Sequence, residues 1–204
     1  MSSPQLPIRT ERLVLRAVRP DDLDDMLTYY SDEDVARHLP FGPFDRTATE
    51  SKVERLCANT HPTVAEDVLS LAIEHEGTAV GDLMLRLKAG EPPSVAEVGW
   101  VMNPAYGGRG LATEATRALL DLAFEHYGLH RVFAQLDPRN ITSARLCERL
   151  GMTKEAHLRQ DWFGKGEWTD TAIYGLLREE WSARGGAGLH PLPGAEAATG
   201  ARDR

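Results

Sequence analysis

Asn103 to Glu114 reads N-P-A-Y-G-G-R-G-L-A-T-E. The alternating run Val95 to Met102 before it predicts a strand, and the periodic run 111–127 after it predicts a helix. Between them stand Gly107, Gly108 and Gly110, with Arg109 set among them. Glycine has no Cβ, so a ligand can approach the backbone closely and φ can turn positive. The first turn of a helix carries N–H groups with no partner inside the helix, and the dipole adds partial positive charge there. A plain strand-to-helix turn needs one glycine. Three within four positions, beside an arginine, predict an anion site able to cradle a pyrophosphate. The lysine of a P-loop is missing, and Thr113 fills the third glycine place of a dinucleotide fingerprint, so neither of those motifs fits.

Working outward, alternation puts Glu97, Gly99 and Val101 on one face of the strand, with Val98, Trp100 and Met102 on the other. Helical periodicity turns Leu111, Ala115, Leu119, Leu122 and His126 to the core. It turns Glu114, Arg117, Asp121 and Glu125 to water, and Gly128 stops the helix. Arg131 to Leu136 reads as a strand, parallel to the first because a helical crossover joins them. Asp137-Pro138-Arg139-Asn140 then turns the chain into a helix over 141–150. Upstream, 8–18 reads as one strand, with Leu13 and Leu15 on one face and Arg12, Val14 and Arg16 on the other. Pro20-Asp21-Asp22 opens a helix whose buried stripe is Leu23, Met26, Leu27 and Tyr30. Helices over 34–38 and 47–59 follow. Strands over 68–75 and 79–87 join at Glu76-Gly77-Thr78, a Gly- and Pro-rich loop spans 89–94, and strands over 153–163 and 168–177 come last. Glycine, alanine and proline without periodicity then predict a disordered tail. The division is 1–7 as a flexible start, 8–182 as one domain and 183–204 as the tail.

The 204 residues carry a formal net charge of −8, which argues against a general nucleic-acid binder. Cys57 and Cys147 form neither a disulfide framework nor a metal spacing, and the seven histidines are scattered, so no metal is expected. The N-terminus lacks the apolar segment of a signal peptide, and no run approaches the about 18 apolar residues of a membrane span. A soluble, cytoplasmic protein is the expectation.

The stretch Gly107-Gly108-Arg109-Gly110-Leu111-Ala112 resembles the acyl-CoA loop of the GNAT N-acetyltransferases, Q/R-x-x-G-x-G/A, with Gly107 departing at the first place. The longer string Gly108 to Ala115, G-R-G-L-A-T-E-A, resembles the RimJ/RimL branch of that superfamily. Asp137 to Met152 resembles the second GNAT signature, N-x-x-S/A-x-x-L-Y-x-x-x-G-F. Asn140, Ser143, Leu146 and Gly151 match it, while Cys147 stands for the tyrosine and Met152 for the phenylalanine. Asn140 also reads as a helix N-cap, and Ser143 as an ordinary first-turn serine. The T-E-R-L-V-L-R start and the segment 155–177 resemble the same branch, and Asp170 and Arg159 occupy positions common to it.

The resemblance implies a single-domain α/β (α+β) GNAT fold: a mixed, mostly antiparallel sheet of about seven strands, flanked by helices. The strand before the loop and 131–136 splay apart to hold acetyl-CoA, whose pantetheine arm pairs with backbone at Val101 and Met102. Its pyrophosphate sits on the amides of Gly108, Arg109, Gly110, Leu111, Ala112 and Thr113, with Gly107 and Asn140 alongside. A primary amine, on a protein N-terminus or a small molecule, attacks the thioester directly. The acceptor-binding loops are expected over 37–59 and 160–169. Glu97 is the candidate base, acting through water on the amine. Ser143 and Cys147 are the remaining catalytic candidates. Cys147 reads either as a weak acid in the tyrosine's place or as an inert buried thiol. The other reading is a non-catalytic acyl-CoA-binding regulatory module, and a homodimer is an open possibility.

Overall fold

The run 8–18 makes two short strands where one is expected. β1 (Ile8–Arg9) and β2 (Val14–Ala17) pair antiparallel, with Arg9 opposite Val14. Between them the Thr10 amide donates to the Leu13 carbonyl at 2.9 Å, which folds the chain back on itself. Among the described residues the sheet accordingly has eight strands, the division of 8–18 adding one to the seven expected. This is seen in a computed structural model, which describes residues 4–59, 67–88 and 94–185. The remaining strands are β3 (Val68–His75), β4 (Thr78–Leu87), β5 (Val95–Met102), β6 (Arg131–Leu136), β7 (Thr153–Gly164) and β8 (Glu167–Leu177). Their order is β1-β2-β3-β4-β5-β6-β8-β7, and only β5 and β6 run parallel.

That parallel pair is brief. Val95, Ala96 and Glu97 face Arg131, Val132 and Phe133, and there the pairing ends. Beyond it β5 stays with β4 as far as Met102 opposite Gly81, while β6 stays with β8 as far as Leu136 opposite Ala172. The two strands part, leaving a wedge with backbone polar groups that need another partner.

Helices cover both faces. α1 (Leu23–Tyr30) and α3 (Arg46–Ala58) lie on one side, with short α2 (Glu33–Ala36) between them in sequence. Their core includes Met26, Tyr29, Tyr30, Val53 and Leu56. Tyr29 is buried where Leu27 is expected, because its hydroxyl donates to Asp82 at 3.2 Å beside that of Tyr30 at 2.8 Å. Burial pushes the Asp82 carboxyl up, against the pull of Lys52 and both tyrosines. Arg16 is buried under the same layer, held by Asp22 at 2.7 Å and Glu74 at 2.5 Å.

The other face carries α4 (Leu111–Asp121), α5 (Ile141–Arg149) and α6 (Arg178–Ala183). α4 buries Leu111, Ala115, Leu119 and Leu120, each leucine contributing about 1.5–3 kcal/mol. The helix expected over 111–127 ends in a π-turn, Leu122–His126, where the Tyr127 amide reaches the Leu122 carbonyl at 3.1 Å. Asp121, expected in water, is buried and accepts the Trp181 indole N–H at 2.9 Å. Trp181 belongs to α6, which begins inside the expected domain and runs one residue past its boundary at 182. At the other end Leu6, in the segment expected to be free, packs against the main core. Most of the expected 89–94 loop and of the tail lies outside the described residues. No helix among the described residues is long and apolar enough to cross a membrane.

Candidate functional site

The wedge between β5 and β6 opens into a cavity of about 790 Å³, bounded by the end of β5, the glycine loop, the start of α5 and the chain just after α2. Val101 and Met102 line it, as do Gly107, Gly108, Gly110, Leu111, Ala112, Thr113, Asn140 and Ser143. Sequence positions far apart thus meet on one surface.

The loop is built by its glycines. Gly108 has φ +73° and Gly110 φ +78°, the left-handed region that side chains other than glycine seldom adopt. A Cβ on Gly108 would meet nothing within 4 Å, so that backbone presents a bare face. Gly110 is the N-cap of α4 and supplies no capping side chain. The first-turn amides of α4 are left for a ligand, with the positive end of the dipole behind them. Arg109 does not line the cavity. Its guanidinium lies over the Tyr106 ring, 5.4 Å from the centroid. Arg149, which no motif marks, is a cation beside the loop: it lines the cavity and its Nε donates to Thr113 Oγ1 at 3.3 Å. It stands in the last turn of α5, a place where arginine is ordinary, so nothing local singles it out.

Glu114 braces this loop from behind. It accepts hydrogen bonds from Thr10 Oγ1 at 2.6 Å, the Arg12 amide at 2.8 Å and Arg12 Nε at 2.7 Å. Arg12 in turn donates to the Arg109 carbonyl at 2.8 Å. Burial favours the neutral carboxyl, but the bonds from Thr10 and Arg12 outweigh it and hold Glu114 below its usual range. Glu114→Ala is therefore expected to raise the KM of a CoA thioester about tenfold and leave kcat within about twofold, since one charge-assisted contact is worth about 1.5–3 kcal/mol and Arg12 is partly solvated. Steady-state kinetics checks it; an unchanged KM would mean that the loop holds its shape without the brace.

At the start of α5, Asn140 is the N-cap, accepting the Ser143 amide at 3.0 Å, and it lines the cavity as well. Ser143 Oγ accepts the Trp100 indole N–H at 3.2 Å, which keeps the hydroxyl in the wedge. The other two catalytic candidates are not brought there. Cys147 is fully buried, and burial pushes its thiol up to about 12, so it is a poor proton donor with no cavity surface. Glu97 sits at the closed end, opposite Phe133, paired with Lys88 at 3.1 Å and Arg86 at 3.7 Å, outside the cavity lining. Asp170 holds His157 at 2.6 Å and the Gln160 amide at 2.9 Å on the exposed β7–β8 hairpin. His38 and Arg139 line the cavity although no motif announces either.

These groups fit a CoA thioester. The unpaired edge of β5 suits the amides of a pantetheine arm, and the α4 amides with Arg149 suit its pyrophosphate. Comparison with known proteins agrees. A model of the acetyltransferase (GNAT) domain matches residues 12–153. The uncharacterized N-acetyltransferase YnaD of Bacillus subtilis (strain 168) is 32% identical over 178 residues, 86% of this chain and 99% of its own. The structure of a GNAT-family acetyltransferase from Bacillus anthracis is similar at TM-score 0.76 and 31% identity, covering 86% of this chain and all of that one. Spermidine N-acetyltransferase from Vibrio cholerae, solved with CoA and spermine, shares the fold at TM-score 0.71 and 20% identity, over 85% of this chain and 99% of its own. With the glycine loop, the splayed strands and a family match over most of its length, this chain belongs to the GNAT family and is an N-acetyltransferase.

Proposed function

We propose that the chain moves an acetyl group from acetyl-CoA to a primary amine by direct attack, as an enzyme of the RimJ/RimL type. The observation that carries this is the wedge beyond Glu97 and Phe133, which ends on the unpartnered first turn of α4. Acetyl-CoA supplies the activated acyl group. The chain's residues orient it: the β5 edge aligns the arm, and the loop amides and Arg149 anchor the phosphates. The amine nitrogen forms the new C–N bond as the C–S bond breaks, and CoA leaves as a thiolate that takes up a proton. Ser143, whose hydroxyl proton is donated to no group among the described residues, is the donor to the charge that develops on the thioester.

The acceptor is either a small amine or a protein N-terminus. The polyamine bound to the Vibrio cholerae relative and the acidic balance of this chain support the small amine. The test is thiol release from acetyl-CoA with spermidine, spermine and peptides bearing N-terminal alanine or serine, beside calorimetry with acetyl-CoA alone. Turnover of at least one amine is expected. Tight binding with no release across the panel would identify a regulatory acyl-CoA-binding module instead.

A further inference from the structure

His38 follows α2 and lines the same cavity as Ser143 and Trp100, yet its Nδ1 is buried with no hydrogen-bond partner among the described residues. That nitrogen lies 4.0 Å from Asp137 Oδ2, too far for a hydrogen bond and close enough for the carboxylate's charge to act on the ring. Buried polar groups are ordinarily hydrogen-bonded, so an unpartnered nitrogen on a residue of the cavity wall calls for an explanation. The position is fixed from several directions. Lys165, at the β7–β8 turn, donates to the Ala36 and Arg37 carbonyls at 2.9 and 2.7 Å, clamping the end of α2 over the cavity. Asp137 is itself held by Arg139 at 2.7 Å, and Arg139 reaches Glu167 at 2.9 Å.

We propose that His38 is the proton acceptor for the incoming amine, with Asp137 as the positioning residue behind it. The proposal rests on the transferase reading above. The ammonium form of the acceptor gives one proton to Nε2 of the imidazole, since Nδ1 is buried on the Asp137 side, and the freed lone pair attacks the acetyl carbon. As the C–S bond breaks, the second N–H proton passes to the CoA thiolate through water, and the imidazolium releases its proton to solvent. The charges facing His38 are Asp137, Arg139, Arg37 and Lys165, with Asp34 on the same wall. Burial lowers its pKa, and Arg139, Arg37 and Lys165 lower it further against the pull of Asp137. Burial and the three cations thus favour the neutral ring, the state a base requires.

The test measures kcat against pH with spermidine and an alanyl peptide for the wild type, His38→Gln, Glu97→Gln and Asp137→Asn, with acetyl-CoA affinity by calorimetry for each. His38→Gln is expected to lower kcat about 10²–10⁴-fold and to erase the acidic limb, with acetyl-CoA affinity unchanged. Removing the Asp137 charge destabilises the imidazolium, so Asp137→Asn should move that limb to lower pH, and the His38 ring signal in an NMR titration should move with it. A merely structural His38 would shift neither. The proposal is overturned if His38→Gln keeps the wild-type limb, if Glu97→Gln is the variant that loses it, or if NMR finds the ring protonated at pH 7. Acetyl-CoA binding with turnover of no amine would instead overturn the transferase reading, and this proposal with it.

Discussion

Gly110→Val is expected to weaken acetyl-CoA binding by at least about 10²-fold and to leave α4 folded. Gly110 sits at φ +78°, and a Cβ there would be 3.6 Å from the Arg12 guanidinium, an ordinary contact. The effect is therefore conformational. Valine at positive φ costs on the order of 1–3 kcal/mol, and the loop relieves it by turning the peptides around Gly110. Those peptides are the ones proposed to cradle the pyrophosphate. Losing two hydrogen bonds to a charged group removes about 3–6 kcal/mol, or roughly 10²–10⁴ in affinity. The helix keeps its buried leucines, so far-ultraviolet circular dichroism should barely change. Gly110→Ala should fall between the two proteins. Calorimetry with acetyl-CoA reads the result, and wild-type affinity in the valine variant would move the anion off these amides.

The largest effect on stability is expected from Arg16→Met. The Arg16 side chain is 7% exposed and that of Asp22 4%, and a bidentate pair joins them at 2.8 and 2.7 Å. The hydrogen bond to Asp22 is the main cause holding the guanidinium's pKa above its usual value, against burial. Removing one partner of a buried pair leaves the other charge unpaired, which costs about 3–5 kcal/mol. In a chain of this size that lowers Tm by roughly 6–20 °C. Asp22 also accepts the Arg19 amide at 2.8 Å, fixing the turn that starts α1. Adding Asp22→Asn to the Arg16→Met variant should recover part of the loss, because the stranded charge is gone. A thermal melt decides it: a fall of only a degree or two would show that water reaches the pair.

Several features that place the site are legible in the amino-acid sequence. Gly108 and Gly110 announce a tight turn because only glycine supplies their positive φ freely, whereas Gly107 is extended at φ −65°, and the crossover 111–131 announces a parallel neighbour. Asn140 reads both as an N-cap and as a cofactor contact; it caps α5 and also lines the cavity. The break in 8–18 is not legible, since Thr10 and Leu13 make their turn with ordinary residues and no glycine or proline marks it. Glu97 reads as a base because alternation puts it on the face of Gly99 and Val101. Alternation gives the face but not the distance along the strand, and Lys88 and Arg86 meet it at the closed end.

Short-range patterns in the chain thus specify the glycine turn, the succession of strands and helices around it, and the family to which they belong. Each of these is written in residues close together in the chain, where backbone preference and periodicity act. Which polar groups face the cavity is settled by the packing of distant segments. Both faces of this sheet are covered by helices, so a residue that alternates away from one core enters a second layer instead of water, as Arg16 and Asp82 do. The brace from Thr10 and Arg12 to Glu114 joins residues 104 and 102 positions apart. His38, Asp137 and Lys165 meet from three separate turns. No local pattern encodes such meetings, because they arise only when the sheet order brings distant turns to one end of the wedge.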